Sequence, residues 1–225
     1  MRMILPMNRP VNRTYKLRGS RITKAQEQAF ERNWHNFQIE LVKPLILNSY
    51  FPNYSRTILE IGSGMGEATS EIAASFPDIG FVAVEMHKPG LGALLMEIEK
   101  RELNNLKMIQ EDAQVVLKEF IPVDSIDAIH LFFPDPWPKL RHRKRRIIQP
   151  EFVEIMASRL KPNGYVQIAT DWKEYADWME RIFKLNPRFS GGVIQRPNWR
   201  PISKFEGKGL RKGHLVTDLK FVKVS

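Results

Sequence analysis

The sequence predicts an α/β fold in which helices cover both faces of a doubly wound, mostly parallel sheet. Short apolar runs alternate with helical patterns from Thr57 onward, and this alternation is typical of sheets built from strand–helix–strand units. Several of the runs end at an acidic residue, as at Glu85 and Asp135. Because ligands bind at the carboxyl edge of an open parallel sheet, the pattern predicts a ligand site at that edge.

Composition limits the number of domains and the kind of partner. The chain has 225 residues, 43% of them hydrophobic, enough for one domain of ordinary size. We expect that domain to span residues 23–225, after a flexible basic arm at residues 1–22 that contains no acid. The formal net charge of +10 predicts a polyanionic partner, nucleic acid ahead of a membrane.

Some classes of protein and site are excluded or disfavoured. The chain has no cysteine, which excludes disulfides, cysteine-based zinc sites and thiol nucleophiles. No apolar run has the length that spans a bilayer, and no apolar signal core stands near the first residue. A soluble cytoplasmic protein is therefore expected.

The predicted elements follow in chain order. Thr23 and Gln26 form a capping-box pattern that predicts the start of a first helix. The polar, glycine-containing segment 202–214 is expected to be either a linker or a substrate-facing loop. Strands are predicted at 58–61, 81–84, 106–109, 126–133, around Val166 and Ile168, and at 215–224. Helices are predicted at Ala68–Ala73, after Pro89, around Val116, from Pro150 and after an N-cap at Asp171.

A glycine-rich turn follows the first predicted strand. Gly62, Gly64 and Gly66 allow the backbone to approach a ligand closely. Their spacing differs from the G-x-G-x-x-G fingerprint of dinucleotide sites, and Glu60 stands just before them. A carboxylate is a poor neighbour for pyrophosphate and a good one for an ammonium group. The glycines alone could also form a tight strand-to-helix turn that binds no ligand; if the turn does bind a cofactor, it favours S-adenosylmethionine over NAD.

Two more acids end predicted strands. Glu85 follows the second strand, 85 − 66 = 19 residues after Gly66, and is placed to accept hydrogen bonds from ribose hydroxyls. Asp112 follows the third strand and could reach an adenine amino group. Each acid alone could instead be a helix cap or a surface charge.

The stretch 129–146 combines a buried strand, an acid between prolines and a cationic run. Pro134, Pro136 and Pro138 are expected to hold Asp135 and Trp137 extended. A solvated charge run is the alternative to a phosphate-binding role for the cations. The cations expected to attract phosphate are Lys139, Arg141, Arg143, Lys144, Arg145 and Arg146.

Six motifs in this order resemble the bacterial tRNA (guanine-N7)-methyltransferase family: LEIGSGMGEA, VAVEMHKPG, EDA, FFPDPWPK, ATDW and SKFEGKGLRKGH. The resemblance covers residues 57–222 and implies a seven-stranded class I methyltransferase sheet. It implies S-adenosylmethionine as cofactor and, as substrate, the variable-loop guanine at tRNA position 46. The family more often has threonine where this chain has Ser203, a change that keeps the hydroxyl.

The resemblance also implies residue roles. Asp135 is the implied catalytic acid. The cofactor site would include Glu60, Gly62, Gly64, Glu85, Asp112 and Asp135, and the substrate contacts would be Lys139, Asp171, Ser203, Lys204, Phe205 and Glu206.

The chemistry expected of such a site depends mainly on positioning. Guanine N7 has an in-plane lone pair and no proton, so no base is needed to create the nucleophile. A carboxylate, from Asp135 or Asp171, would stabilise the positive charge that develops on the purine. The base is expected to leave its stack and be received by Trp137 or Phe205.

Several alternatives remain at this stage. An NAD-linked oxidoreductase would fit the fold, and a noncatalytic RNA-binding protein would fit the charge. We expect no metal, no membrane association and no obligatory partner subunit, with the chain a monomer or a homodimer.

Overall fold

A computed structural model of the protein describes residues 13–15, 21–211, 213 and 215–224, without the side chains of Lys204, Phe205 and Lys208. Its centre is a seven-stranded sheet in the order β3-β2-β1-β4-β5-β7-β6. In this sheet β7 pairs antiparallel with both of its neighbours, and the other described pairings are parallel. The strands are β1 (Arg56–Ile61), β2 (Ile79–Val84), β3 (Leu106–Ile109), β4 (Ile126–Phe132), β5 (Leu160–Thr170), β6 (Phe189–Ile194) and β7 (Thr217–Lys223).

Helices cover both faces of the sheet and enclose two apolar clusters. The predicted fold class is therefore confirmed. The helices are α1 (Lys24–Phe37), α2 (Glu67–Ser75), α3 (Lys88–Arg101), α4 (Ala113–Val115), which continues as a π-helical turn Val116–Phe120, α5 (Pro150–Arg159), α6 (Lys173–Lys184) and α7 (Lys204–Leu210), with 3-10 turns at Leu47–Tyr50 and Leu140–Arg145.

The strand order reverses between β1 and β4, because β2 and β3 lie on one side of this pair and β5 on the other. Such a switch point leaves a crevice beyond the carboxyl ends of the two strands. Ile58, Leu59 and Glu60 of β1 pair in parallel with Ala128, Ile129 and His130 of β4. The glycine turn after β1 and the Asp135 loop after β4 therefore face each other across one crevice.

The capping box predicted for α1 is confirmed. The Thr23 N–H donates to Gln26 Oε1 at 2.8 Å, and the Gln26 N–H donates to Thr23 Oγ1 at 3.3 Å. By contrast, the predicted cap of α6 is wrong by one residue. Trp172, not Asp171, occupies the N-cap position, and the Trp172 N–H donates to Thr170 Oγ1 at 3.2 Å.

One strand and one α-helix were not predicted. The strand β6 contains Gly191 and Gly192, which weaken local strand propensity, and antiparallel pairing with β7 supplies its order. The helix α7 lies within the segment predicted to be a linker or a loop. Ser203 caps it by accepting from the Glu206 N–H at 3.1 Å. The S-x-x-E pattern of Ser203 and Glu206 was the available signal.

Most of the predicted basic arm, residues 1–22, lies outside the described residues. Of the part that is described, the Thr14 carbonyl accepts a hydrogen bond from Trp137 Nε1 at 3.0 Å. Within the described ranges, no helix has the length and apolar character needed to cross a membrane.

Candidate active site

A cavity of about 530 Å³ lies at the switch point between β1 and β4. A volume of this size is typical of sites that enclose a nucleoside-sized ligand. The wall of the cavity includes, from the predicted residues, Glu60, Gly62, Gly64, Glu85, Asp112, Asp135 and Ser203, together with Thr14, Tyr15, Met86, His87 and Phe133, which were not predicted.

The glycine turn forms the part of the wall after β1. Gly62 and Gly64 have φ of 75° and 59°, and an added Cβ at either residue would meet no atom within 4 Å. Their backbone is thus exposed to the cavity. Gly66 has a different role, because an added Cβ there would lie 2.6 Å from Leu94 Cδ1. It permits close packing of α3 against the turn.

Glu60 is a buried carboxyl at the end of β1. Its pKa is raised to about 7, chiefly by burial and to a smaller extent by the negative charge of Glu85. A carboxyl in such a position gains from a cation that enters the cavity, because pairing offsets the cost of burying the charge. The site is therefore suited to an ammonium group.

Glu85 holds the glycine turn in place. Its Oε2 accepts from the Gly64 N–H at 2.9 Å, and its Oε1 accepts from the His87 N–H at 2.8 Å. Each carboxylate oxygen can accept a second hydrogen bond. Glu85 can therefore shape the turn and still accept from ligand hydroxyls.

Asp112 follows β3 and caps α4. Its Oδ1 accepts from the Gln114 N–H at 2.8 Å. Burial raises the pKa of this carboxyl above its usual range. Asp112 therefore both starts a helix and presents a polar atom to the cavity, so the two sequence-based alternatives, cap and ligand contact, are compatible.

The Asp135 loop closes the opposite wall. Asp135 is half-buried and lines the cavity. The prediction that Trp137 is extended is wrong: its φ is +43°, and that of Phe133 is +52°. The chain turns sharply at both residues, which places the carboxylate between two left-handed bends.

The chain matches the family model described as "Putative methyltransferase" over residues 54–219. It is 45% identical over 220 residues to the tRNA (guanine-N(7)-)-methyltransferase of Nitrosomonas europaea, covering 96% of this chain and 98% of that one. It is 44% identical over 218 residues to the enzyme of the same name from Streptomyces avermitilis, covering 94% and 75%. The chain belongs to the tRNA (guanine-N7)-methyltransferase family.

Solved structures show the same fold for this methyltransferase. It resembles the 16S rRNA methyltransferase KamB with a TM-score of 0.59 and 16% identity, over 79% of this chain and 92% of that one. It resembles TrmN from Thermus thermophilus with a TM-score of 0.54 and 16% identity, over 80% and 47%. The class I methyltransferase sheet predicted from the sequence is confirmed.

One predicted phosphate contact of the methyltransferase is wrong. Arg146 has none of its surface exposed. Its Nε donates to the Pro136 carbonyl at 2.9 Å, and its terminal nitrogens pair with Glu174, one of them at 3.2 Å. Its guanidinium also lies over the rings of Tyr175 and Trp178, at 4.8 and 5.1 Å. Arg146 thus ties the Asp135 loop to the first turn of α6.

The other cations of the run divide into two groups. Lys139, Arg141 and Lys144 are exposed. Arg143 pairs with Glu174 at 3.1 Å, and Arg145 lies over the Trp137 ring at 5.0 Å. The exposed group is the part of the run best placed to meet phosphate; within it, Arg141 Nε donates a hydrogen bond to the neighbouring His142 Nε2 at 3.3 Å.

Trp137 is not a receiver for a flipped base. Only 7% of its surface is exposed. The Thr14 carbonyl holds its N–H, Arg145 covers one face, and His142 meets the ring edge-on at 5.8 Å. The indole instead anchors the Asp135 loop.

The structure describes only part of the predicted substrate-contact motif at residues 203–206. Ser203 lines the cavity and caps α7, and the side chains of Lys204 and Phe205 lie outside the described residues. Glu206 is buried, and its two carboxylate oxygens accept from Arg200 at 2.8 and 3.1 Å. Arg200 also donates to Asp218 on β7, at 2.7 and 2.8 Å. In this structure Glu206 therefore fastens α7 to the sheet.

Arg200 was not singled out from the sequence, because its partners are separated from it along the chain.

Asp171 was predicted from the sequence as a substrate contact. It is half-buried just beyond β5, on the same edge of the sheet as Asp135. Over the described residues, no group of three or more His, Asp or Glu side chains could hold a metal ion.

Proposed function

We propose that this enzyme transfers a methyl group from S-adenosylmethionine to N7 of the guanine at position 46, in the variable loop of tRNA. The observation that carries the proposal is the convergence of Glu60, Glu85, Asp112 and Asp135 on one cavity. Relatives named tRNA (guanine-N(7)-)-methyltransferase along nearly the whole chain support it.

The cavity fits S-adenosylmethionine better than a dinucleotide. The open backbone of Gly62 and Gly64 would lie along the amino-acid moiety, and Glu60 would pair with its ammonium. Glu85 would accept from the ribose hydroxyls and Asp112 from the adenine amino group. A pyrophosphate beside the buried Glu60 would be repelled.

Catalysis would depend on orientation and on charge. When bound, the cofactor supplies a methyl group on a positively charged sulfonium. Transfer of that methyl group would form the carbon–N7 bond as the carbon–sulfur bond breaks, and the purine would take up the positive charge. Asp135 would accept hydrogen bonds from guanine N–H groups and stabilise that charge, while Asp171 would orient the base.

The remaining assignments concern tRNA. Lys139 and Asp171, with Ser203, Lys204, Phe205 and Glu206, would form the substrate side of the site, Glu206 through its bond to Arg200. Lys139, Arg141 and Lys144 would meet phosphates. We propose one catalytic domain over residues 23–225, a basic arm at 1–22 that adds tRNA affinity, and a cytoplasmic location.

Two measurements test the proposal. S-adenosylmethionine should raise the melting temperature of the protein and NAD should not; the reverse would favour an oxidoreductase. Unmodified tRNA should accept a labelled methyl group from the wild-type enzyme but not from Asp135→Ala, which should still bind tRNA. If Asp135→Ala retains the wild-type rate, the role of Asp135 is wrong. If the wild-type protein binds tRNA but labels none, a noncatalytic RNA-binding function is favoured.

A further inference from the structure

Trp172 is an exposed aromatic residue at the functional edge of the sheet. Its exposure is 41%. No other Phe, Tyr or Trp whose exposure the structure describes is exposed; the rest are buried or half-buried. Since an indole normally contributes to stability by burial, an exposed one beside a ligand site suggests that a ligand covers it.

The position of Trp172 is well defined by its backbone. The backbone N–H of Trp172 donates to Thr170 Oγ1 at 3.2 Å, and its backbone carbonyl accepts from the N–H groups of Tyr175 and Ala176 at 2.9 and 3.0 Å. Tyr175 and Ala176 are buried in the first turns of α6. The side chain of Trp172 also hydrogen-bonds the carboxylate of Glu174, so the indole is held beside the first turn of α6.

Trp172 and Asp135 leave the sheet side by side. Phe132 pairs with Ala169, and the Phe133 N–H donates to the Ala169 carbonyl at 2.7 Å. Asp135 and Trp172 each lie three residues beyond that pair. Arg146 then joins the two loops, since it bonds both the Pro136 carbonyl and Glu174. Trp172 thus lies next to the Asp135 loop at the edge of the sheet, just outside the residues that line the cavity.

A guanine in a folded tRNA must leave its stack before N7 can reach the cavity, and unstacking costs a few kcal/mol. Stacking on an exposed aromatic ring near the entrance can offset part of that cost, because every base has a face that can stack. Trp137, one of the two candidates named from the sequence, is enclosed and cannot supply it, and the side chain of the other, Phe205, lies outside the described residues.

We propose that Trp172 forms a stacking subsite for the target guanine at the entrance to the cavity, while Asp135 and Asp171 bond the edge of the base. This inference rests on the proposed function, because it requires a guanine as the methyl acceptor. It assigns to Trp172 a contact with the base and not with the cofactor.

The test compares Trp172→Ala, Trp172→Phe and Leu185→Ala. Leu185 is a matched control: it is a large apolar residue, 70% exposed, directly after the last residue of α6. With saturating S-adenosylmethionine, Trp172→Ala should lower kcat/KM for tRNA by about tenfold or more. Trp172→Phe should recover most of the loss, and Leu185→Ala should match the wild type. Cofactor affinity should be unchanged in all three, and the melting temperature should fall only slightly in the two Trp172 variants, which lose the hydrogen bond to Glu174.

A second readout is tryptophan fluorescence. Binding of tRNA should quench the emission of the wild-type protein and of Leu185→Ala, and the quenched component should be missing in Trp172→Phe. The inference is overturned if Trp172→Ala methylates tRNA like an active wild-type enzyme, or if Trp172→Phe shows no recovery. If the wild-type enzyme methylates no tRNA, the proposed function fails, and the stacking subsite fails with it.

Discussion

Replacement of Glu174 by alanine should destabilise the protein far more than its surface position suggests. Glu174 is 44% exposed at its side chain, and substitutions at such positions usually change stability by less than about 0.5 kcal/mol. In Glu174→Ala the loss of stability would come from its partner, Arg146, which would keep its charge without a counter-ion. Arg146 is fully buried, and Glu174 forms the ion pair that the structure describes for it.

The magnitude follows from what Arg146 retains. Leaving a buried charge without its partner costs about 3 to 5 kcal/mol. Arg146 would keep its bond to the Pro136 carbonyl and its contacts with the rings of Tyr175 and Trp178. We therefore expect roughly 2 to 4 kcal/mol, and for a chain of this length a fall in melting temperature of roughly 5 to 15 °C.

The matched control is Asp177→Ala on the same helix. Asp177 pairs with Lys173, and both side chains are more than half exposed, so the loss should be at most about 1 kcal/mol. Calorimetry on the two variants gives the comparison. Equal melting temperatures would refute the idea that Glu174 neutralises Arg146. Because Arg146 joins the two loops at the entrance, Glu174→Ala should also lower kcat for methylation at temperatures where it remains folded.

Three further predictions concern charge. Exchange of Lys139, Arg141 and Lys144 for glutamine should weaken tRNA binding and flatten the plot of log affinity against log salt, since fewer counterions are released; an unchanged slope would mean that these residues do not meet phosphate. Glu60→Gln should weaken S-adenosylmethionine binding, as measured by calorimetry, because the ammonium loses its counter-charge, whereas Glu71→Gln, at an exposed position of α2 outside the cavity wall, should bind nearly normally. Cofactor affinity of the wild type should rise between about pH 5.5 and 7.5, because burial raises the pKa of Glu60 to about 7 and only the ionised form pairs with ammonium; a flat profile would contradict this.

The same pKa determines the sign of one contribution to stability. The ordinary pKa of a glutamic acid is 4.5, and that of Glu60 in the folded chain is about 7. Between these values the folded state binds more protons than the unfolded state, so the contribution of Glu60 to stability falls as the pH rises. Glu60→Gln should remove that part of the pH dependence in urea unfolding.

Much of the site could be predicted because its signals are local. The glycines after β1 and the acids after β2, β3 and β4 are adjacent in sequence to apolar runs, and the end of a run indicates the edge of the sheet. Glu60, Glu85, Asp112 and Asp135 therefore meet as expected.

The errors come from contacts between residues that are distant in sequence. Arg146 ends a cationic run and looks like its neighbours, but Glu174 and two aromatic rings on α6 enclose it. Trp137 was expected to be accessible to a flipped base, but it is buried and its indole N–H donates to the Thr14 carbonyl. Local pattern cannot show these pairings, because it does not report which helix packs on which loop. The strand β6 was missed for the same reason, since β7 supplies its hydrogen bonds.

The central claim is that the cavity between β1 and β4 brings a methyl donor to N7 of a variable-loop guanine. The most direct measurement is to treat a tRNA transcript with the protein and S-adenosylmethionine, then map alkali- and aniline-induced scission, which occurs at 7-methylguanosine. We predict a single new cut at position 46 and none in a transcript that has adenine there. Methylation without scission, or scission elsewhere in both transcripts, would contradict the claim.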